Sequence, residues 1–371
     1  MKVTILKENL QKALGIVNRN ISLRPQLPIL NNILIKIDND GLIIASSSLE
    51  IGVKVRVSSK IDEAGEITVP GRLFTEYISQ LPAEKIVLLL EKDNLVVKTQ
   101  KTRASFATLS AKDFPPFPVV KNEKPISLLS DIFQNGIMKT SFAASIDEGR
   151  PVLTGIRIRS FGDGIGFYAT DGYRLSIYRV KVGADVTEMD FIFPARVLVE
   201  VSRIMQEEKV KEIVFVSLGG KNQVVFSIGE VTVATQLIEG EFPSIEKIIP
   251  TSFKTRAIIE AESFLKSVKI CSLFARGSSN IVKLKIEKNG INFSANTPQI
   301  GENSEFMEAS IEGEEMEIAF NFRFLLDLLN NYSGKEIVFE SSGALNPGLF
   351  KPTTEGKEEF LHIIMPVRLQ G

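Results

Sequence analysis

Apolar residues along this chain follow two different periods, and the two take turns. Stretches such as KIVLLL, NLVVKTQ, EIVFVSL, QVVFSI and VTVATQL alternate or stay apolar over a strand's length, with Gly, Asn and Asp turns between them. Others space their apolar residues three and four apart: ENLQKALGIVNRN, LLSDIFQNGIMKTSFAAS and AESFLKSVKICSLFAR. A third kind runs from a short apolar strand into an amphipathic helix: ITVPGRLFTEYISQL, FIFPARVLVEVSRI and IAFNFRFLLDLLNNY. The pattern predicts an α+β fold in which helices pack on antiparallel sheets.

These stretches recur in phase. Aligning GLIIASSSLE, GIGFYATDGYR and GINFSANTPQ pairs Ala45, Ala169 and Ala295, which are 124 and 126 residues apart. The strand-to-helix arginines Arg72, Arg196 and Arg323 are 124 and 127 apart. LSAKDFPPFP echoes LIEGEFPSIEK at an offset of 128, and LPILNNILIKI echoes RPVLTGIRIRS. The chain therefore predicts three tandem domains, 1–120, 121–248 and 249–371, with turn residues clustered near Pro118–Pro125 and Pro243–Thr251. Each reads helix, strands, helix, strands, which is two similar halves and so a sixfold pseudo-repeat. Sheet edges need partners, and such units can join edge to edge into a ring or a closed dimer.

Composition narrows the chemistry. The 371 residues are 44% hydrophobic and carry a formal net charge of −1, so no global basic field marks a nucleic-acid partner. The single cysteine, Cys271, excludes an intramolecular disulfide and fits a reduced, cytoplasmic compartment. The start MKVTILKENL lacks the apolar core of a secretory signal, and no stretch is long enough for a membrane span. The single histidine, His362, argues against a histidine triad and against a zinc site. Phosphate-loop, nucleophile-elbow, CxxC, HExxH and EF-hand spacings are missing, so neither a metal nor a cofactor is expected.

The segment ATDGYRL (169–175) is the strongest local feature. Asp171 precedes a glycine as turn residues do, and it has no second carboxylate or histidine at a useful spacing. Its repeat equivalents are Ser47 and Thr297. The expectation is no catalytic residue. Tyr173 and Arg174 read instead as anchors for a bound peptide. In the terminal HIIMPVRLQG, Pro366 should end strand pairing and leave Met365, Val367 and Leu369 near a surface.

Charge follows the expected elements. Six helical windows (7–19, 72–81, 130–143, 196–206, 262–276 and 323–335) hold 12 basic and 6 acidic residues. That is +6 on the helices and −7 elsewhere, as a helical layer facing phosphates would need.

As a set, RPQLPIL (24–30), ATDGYRL, GEFPSIEKIIP (240–250) and IIMPVRL (363–369) resemble the bacterial DNA polymerase III beta subunit family, over the whole chain and in order. The resemblance implies a head-to-tail homodimeric ring of six lobes around DNA, with helices lining the hole. It implies no catalysis, and a peptide pocket between the second and third domains for the replicative polymerase, clamp loader and repair polymerases. Carried over, that pocket takes Leu153, Thr170, Gly172, Tyr173, Arg174 and Leu175 from the second domain. Pro243, Lys247 and Ile248 come from the FP-containing segment, and Leu345 and Pro347 from ALNPGLF. The terminal motif gives Ile363, Ile364, Met365, Pro366, Val367, Arg368 and Leu369. For DNA the resemblance implies Arg24, Arg72, Arg196, Arg203 and Lys269. For the dimer seam it implies Phe106 against Leu273 and Phe274.

Two departures bear on partner preference: Tyr173 stands where the family often has histidine, and Gln370 and Gly371 extend past the usual terminal leucine. Two rival readings are an enzyme using Asp171 or Glu241 and a peptide-binding scaffold that ignores DNA. The missing acid–base pairs speak against the first, and the charge pattern against the second.

Overall fold

A computed structural model describes residues 1–21, 27–38, 41–48, 50–121, 123–183, 187–219, 222–277, 279–298, 301–354 and 356–368. Among these, six α-helices appear: α1 (Lys7–Asn18), α2 (Gly71–Gln80), α3 (Ser130–Thr140), α4 (Ala195–Glu208), α5 (Ala261–Ala275) and α6 (Phe322–Asn330). They fall two to a repeat, as the periodicity predicts. The strands pair antiparallel, mostly as meanders joined by short turns.

The chain divides into two compact units, residues 1–131 with 200–237, and residues 132–199 with 238–371. These cut across the sequence repeats because sheet hydrogen bonds join neighbouring repeats. In the first unit an eight-stranded sheet contains the junction of Ile51–Val57 with Val231–Gln236, with Val53 opposite Val233 and Gly52 opposite Ala234. In the second, a nine-stranded sheet contains the junction of Arg174–Lys181 with Glu358–Ile364, with Leu175 opposite Ile363. Both junctions use the same parts. The strand after a repeat's aligned alanine pairs with the last strand of the following repeat. The corresponding strand of the third repeat, Gly301–Glu308, is the edge of a four-stranded sheet. The last strand of the first repeat, Arg103–Ala107, is the edge of a five-stranded sheet.

Helix burial follows the sequence pattern. Helix α6 buries Phe322, Leu325, Leu328 and Leu329 on one stripe, and the Asn321 side chain caps it by accepting from the Arg323 N–H at 3.0 Å. Helix α5 is capped in the same way by the Glu260 carboxylate. Gly136 lets α3 lie against a sheet, since a Cβ there would stand 2.6 Å from the Phe167 ring.

Helix ends differ from the expected windows, and this changes the charge picture. Helix α4 runs on through Glu207 and Glu208, while α1, α5 and α6 stop before Arg19, Arg276 and Lys335. The observed helices hold nine basic and eight acidic residues, a net of +1 in place of +6. The expected separation of charge by element is therefore largely lost.

Candidate functional site

ATDGYRL forms a turn closed by its own side chains. Gly172 has φ +92°, a left-handed conformation that favours glycine. The Thr170 hydroxyl donates to the Arg174 carbonyl at 2.6 Å and accepts from the Gly172 N–H at 3.1 Å. Asp171 Oδ1 accepts from the Tyr173 and Arg174 N–H groups at 2.8 and 3.0 Å, and its Oδ2 accepts from Arg174 Nε at 3.0 Å. The carboxylate is thus engaged in building the turn. The Tyr173 carbonyl in turn accepts from the Met365 N–H at 2.9 Å, which fastens the terminal segment to the turn.

Arg174 is nearly buried. Its Nη1 donates to Asp327 Oδ2 at 2.6 Å, and its guanidinium lies 4.6 Å from the Phe324 ring centroid. The sequence suggests an anchor for a bound peptide at this position, and Arg174 does line the cleft beside the turn. The structure shows an arginine whose charge is spent between two carboxylates and an aromatic face. Tyr173, by contrast, is 63% exposed.

Beside the turn lies a largely apolar cleft of about 640 Å³. Leu153, Thr170, Gly172, Tyr173, Arg174 and Leu175 form one wall. Pro243, Lys247 and Ile248 form a second, and Pro347, Ile363 and Met365 a third. Other expected residues lie elsewhere. Ile364 is fully buried in the core of the third repeat, because strand alternation turns it away from Ile363 and Met365. Leu345 is exposed without lining the cleft, and Pro366, Val367 and Arg368 follow the strand without lining it. Val367 instead donates its N–H to the Ala319 carbonyl at 2.8 Å. Leu369 lies outside the described residues. The sequence reading missed Ile249, Pro250, Thr251, Ser252, Ser342 and Asn346, which also line the cleft. The turn-rich stretches IIPTS and SSGALNPG were the available signal.

His362 sits beneath this region with no exposed surface, its ring 5.2 Å from that of Phe142. Burial, helped by the Arg174 charge, pushes its pKa down to about 3. Among the described residues neither ring nitrogen finds a hydrogen-bond partner. Burial and nearby Glu305 push the Cys271 thiol up to about 12, and the thiol donates to Asn303 Oδ1 at 3.0 Å. No group of three His, Cys, Asp or Glu residues that could hold a metal occurs among the described residues. Nor is any described helix long and apolar enough to cross a membrane.

The basic positions singled out for DNA are exposed on helices where described: Arg72 on α2, Arg196 and Arg203 on α4, Lys269 on α5. Arg24 lies outside the described residues. An ion-pair network joins the ends of α1 and α4. Arg19 Nε meets Glu200 at 2.8 Å, while its two terminal nitrogens take the Glu207 carboxylate at 3.1 Å each. Glu207 also accepts from Arg203 at 3.2 Å, and Glu208 pairs with Lys12 at 2.7 Å.

At the two edge strands, Phe106 is 7% exposed and packs edge-on against Phe74 and Tyr77 at 5.3 and 5.4 Å. Leu273 is exposed and Phe274 is half-buried. The edge Arg103–Ala107 and the turn before it carry exposed Lys101 and Arg103. The edge Gly301–Glu308 carries exposed Glu302, Phe306 and Glu308.

Comparison with known proteins agrees along the whole chain. Models of the DNA polymerase III beta subunit match in order: its N-terminal domain over residues 1–118, its central domain over 127–244 and its C-terminal domain over 246–368. The chain is 30% identical over 383 residues to the beta sliding clamp of Bacillus subtilis, covering 99% of this chain and 100% of the relative. It is 29% identical to that of Synechocystis over 392 residues, covering 100% of both. The crystal structure of the Thermotoga maritima beta subunit superposes with a TM-score of 0.92 at 26% identity, over 100% of each chain. That of the Pseudomonas aeruginosa sliding clamp bound to griselimycin gives 0.90 at 26% identity, again over 100% of each. From its three matched domains and its full-length relatives, the chain belongs to the DNA polymerase III beta subunit family, the beta sliding clamps.

Proposed function

We propose that two copies of this chain close head to tail into a ring around duplex DNA, and that the cleft beside ATDGYRL holds replication and repair proteins on that ring. One observation carries the reading: the cycle of strand junctions is unfinished within one chain. Two junctions are made internally, and the third lacks its partner on both sides. A second copy supplies both, its Arg103–Ala107 edge meeting the first copy's Gly301–Glu308. The charges of the two edges are of opposite sign, with exposed Lys101 and Arg103 on one and exposed Glu302 and Glu308 on the other, although Arg103 also pairs with Glu91 at 2.6 Å. Leu273 and Phe274 supply apolar surface to the seam, while Phe106 backs its strand from the core, packed on Phe74 and Tyr77. Each ring then has six lobes, and every edge of this kind is used.

The clamp is a processivity factor without catalysis of its own. It binds DNA through phosphates, without reading sequence, and Arg24, Arg72, Arg196, Arg203 and Lys269 are the residues we assign to that contact. With near-neutral helices, retention on DNA rests on encirclement more than on a strong field. Short linear motifs of the replicative polymerase, the clamp loader and repair polymerases insert apolar side chains into the cleft. Tyr173, Leu175, Pro243, Ile363 and Met365 receive them, and Met365 adapts to several ligands. A tethered partner meets DNA at an effective concentration that roughly reaches the millimolar range for a short flexible link. The setting is the bacterial cytoplasm, where the chromosome is copied.

The test is solution mass by light scattering, together with retention on nicked circular DNA before and after linearisation, with a clamp loader present. A dimer that stays on the circle and slides off the linear form is expected. A monomer, or binding indifferent to DNA ends, leaves the scaffold reading standing in its place.

A further inference from the structure

The two internal junctions carry enough information to set the register of the third. In each repeat the strand that opens on Gly41, Gly164 or Gly290 carries Ser46, Ala169 or Ala295 five residues on. Across the hairpin these face Val53, Ser176 and Asn303. Each pair touches the first helix of its repeat. The Ser46 hydroxyl donates to the Val17 carbonyl of α1 at 2.6 Å, and that of Ser176 to the Lys139 carbonyl of α3 at 2.5 Å. The Cys271 thiol of α5 donates to Asn303. Two residues back from this second set, Ile51, Arg174 and Gly301 are therefore equivalent.

The closing strand of each repeat has a landmark of its own. Leu109, Ile238 and Val367 donate their N–H groups to the carbonyls of Thr68, Ile192 and Ala319. Those acceptors each stand two residues before the end of the strand that leads into the second helix. Three residues before the donors come Phe106, Thr235 and Ile364, all buried. The two landmarks agree, since Ile51 pairs with Thr235 in one junction and Arg174 with Ile364 in the other. The same rule sets Gly301 opposite Phe106 of a second copy. Antiparallel counting then sets Glu302 opposite the partner's Ser105, Ser304 opposite the partner's Arg103 and Phe306 opposite the partner's Lys101. These residues are all exposed in the single chain and share the face away from the helices.

Phe306 gains a role from this register. Its ring is 52% exposed and lies over Gly290, where a Cβ would stand 2.7 Å from it. Lys101 has no ion-pair partner among the described residues, whereas Arg103 holds Glu91 at 2.6 Å. We propose that Phe306 seats the partner's Lys101 on its ring, with Glu302 diagonal to the partner's Arg103, in a seam paired Gly301 to Phe106. The pairing rests on the head-to-tail ring. A slip of two residues would keep every face and set Lys101 against Glu308, so charge alone does not choose the register. The internal junctions do.

The experiment uses full-length chains with cysteine pairs, oxidised with copper phenanthroline and read on non-reducing gels. Cys271 is buried, which leaves the introduced thiols as the accessible ones. Residues directly opposite have Cα atoms about 5.5 Å apart or less, within disulfide range, and diagonal ones at roughly 7–8 Å are beyond it. Glu302→Cys with Ser105→Cys should link two copies, and Ser304→Cys with Ser105→Cys should not. Phe306→Leu should raise the dimer dissociation constant about three-fold for each of the two seams, and should have no further effect in Lys101→Ser. A dimer that links only through the second pair, or through neither, overturns the register and leaves the ring standing. Equal effects of Phe306→Leu in both backgrounds overturn the contact with Lys101. A monomeric light-scattering mass for the wild type removes the ring and the pairing with it.

Discussion

Arg174 and Asp327 meet at 2.6 Å, and through this pair the turn of the second repeat is held by helix α6 of the third. Arg174 therefore acts on the cleft chiefly by fixing the turn that carries Tyr173. Replacing Arg174 with Met should destabilise the protein by about 1–3 kcal/mol, since two carboxylates lose a charged donor. It should also weaken peptide binding in the cleft. Asp327, which does not line the cleft, gives the cleaner test. Asp327→Asn should lower ligand affinity in isothermal titration while leaving the lining unchanged. Full affinity in that variant would mean that the turn holds itself.

His362 predicts an acid limit to stability. Its folded-state pKa, about 3, lies below the ordinary 6.5. Between those values the unfolded chain binds a proton that the folded chain does not. Stability therefore falls as pH drops from 6.5 toward 3, by up to about 1.4 kcal/mol per pH unit, and this contribution is fully present above 6.5. Urea midpoints at pH 7 and pH 4.5 should diverge in the wild type and move closer together in His362→Leu. An unchanged gap would assign the acid limb to carboxylates.

Glu207 holds two arginines at once, Arg19 and Arg203. Glu207→Gln releases their charge toward solvent. The variant should bind linear duplex DNA more tightly at low salt. Its plot of log affinity against log salt should steepen by roughly one unit for each cation that gains a phosphate. An unchanged slope would place both arginines away from the DNA path.

Leu273 is 57% exposed on α5, a large apolar side chain facing solvent in the single chain. Leu273→Lys should move the light-scattering mass from dimer toward monomer with little change in thermal stability, since no core contact is lost. A dimer that persists unaltered would remove Leu273 from the seam.

Much of this was legible in the sequence. The aligned alanines and arginines gave the repeats, and the apolar periods gave six helices close to their observed places. Tyr173 and Met365 were found because they stand in short segments with unusual composition, and Pro243 through the family resemblance of its FP-containing segment. Helix ends were less legible: nothing in the spacing says that α4 continues through Glu207 and Glu208 or that α1, α5 and α6 stop before Arg19, Arg276 and Lys335, and these five residues together took the helical net charge from +6 to +1. Arg174 looked like an anchor because its partner, Asp327, is 153 residues away. Strand alternation separates Ile364 from Ile363, but the terminal motif alone does not say which of the two faces the cleft.

Two strand junctions of one construction are made within the chain, and the third that the proposed ring needs would differ from them in how it answers dilution. Two join segments of the same polypeptide, so their partners stay near one another however few molecules are present. The third, in the proposed ring, would join separate molecules and so would strengthen or fade with their number. A closed ring would therefore open first at its two intermolecular seams even if all six junctions were chemically alike, and the covalent path of the chain would decide where DNA can enter.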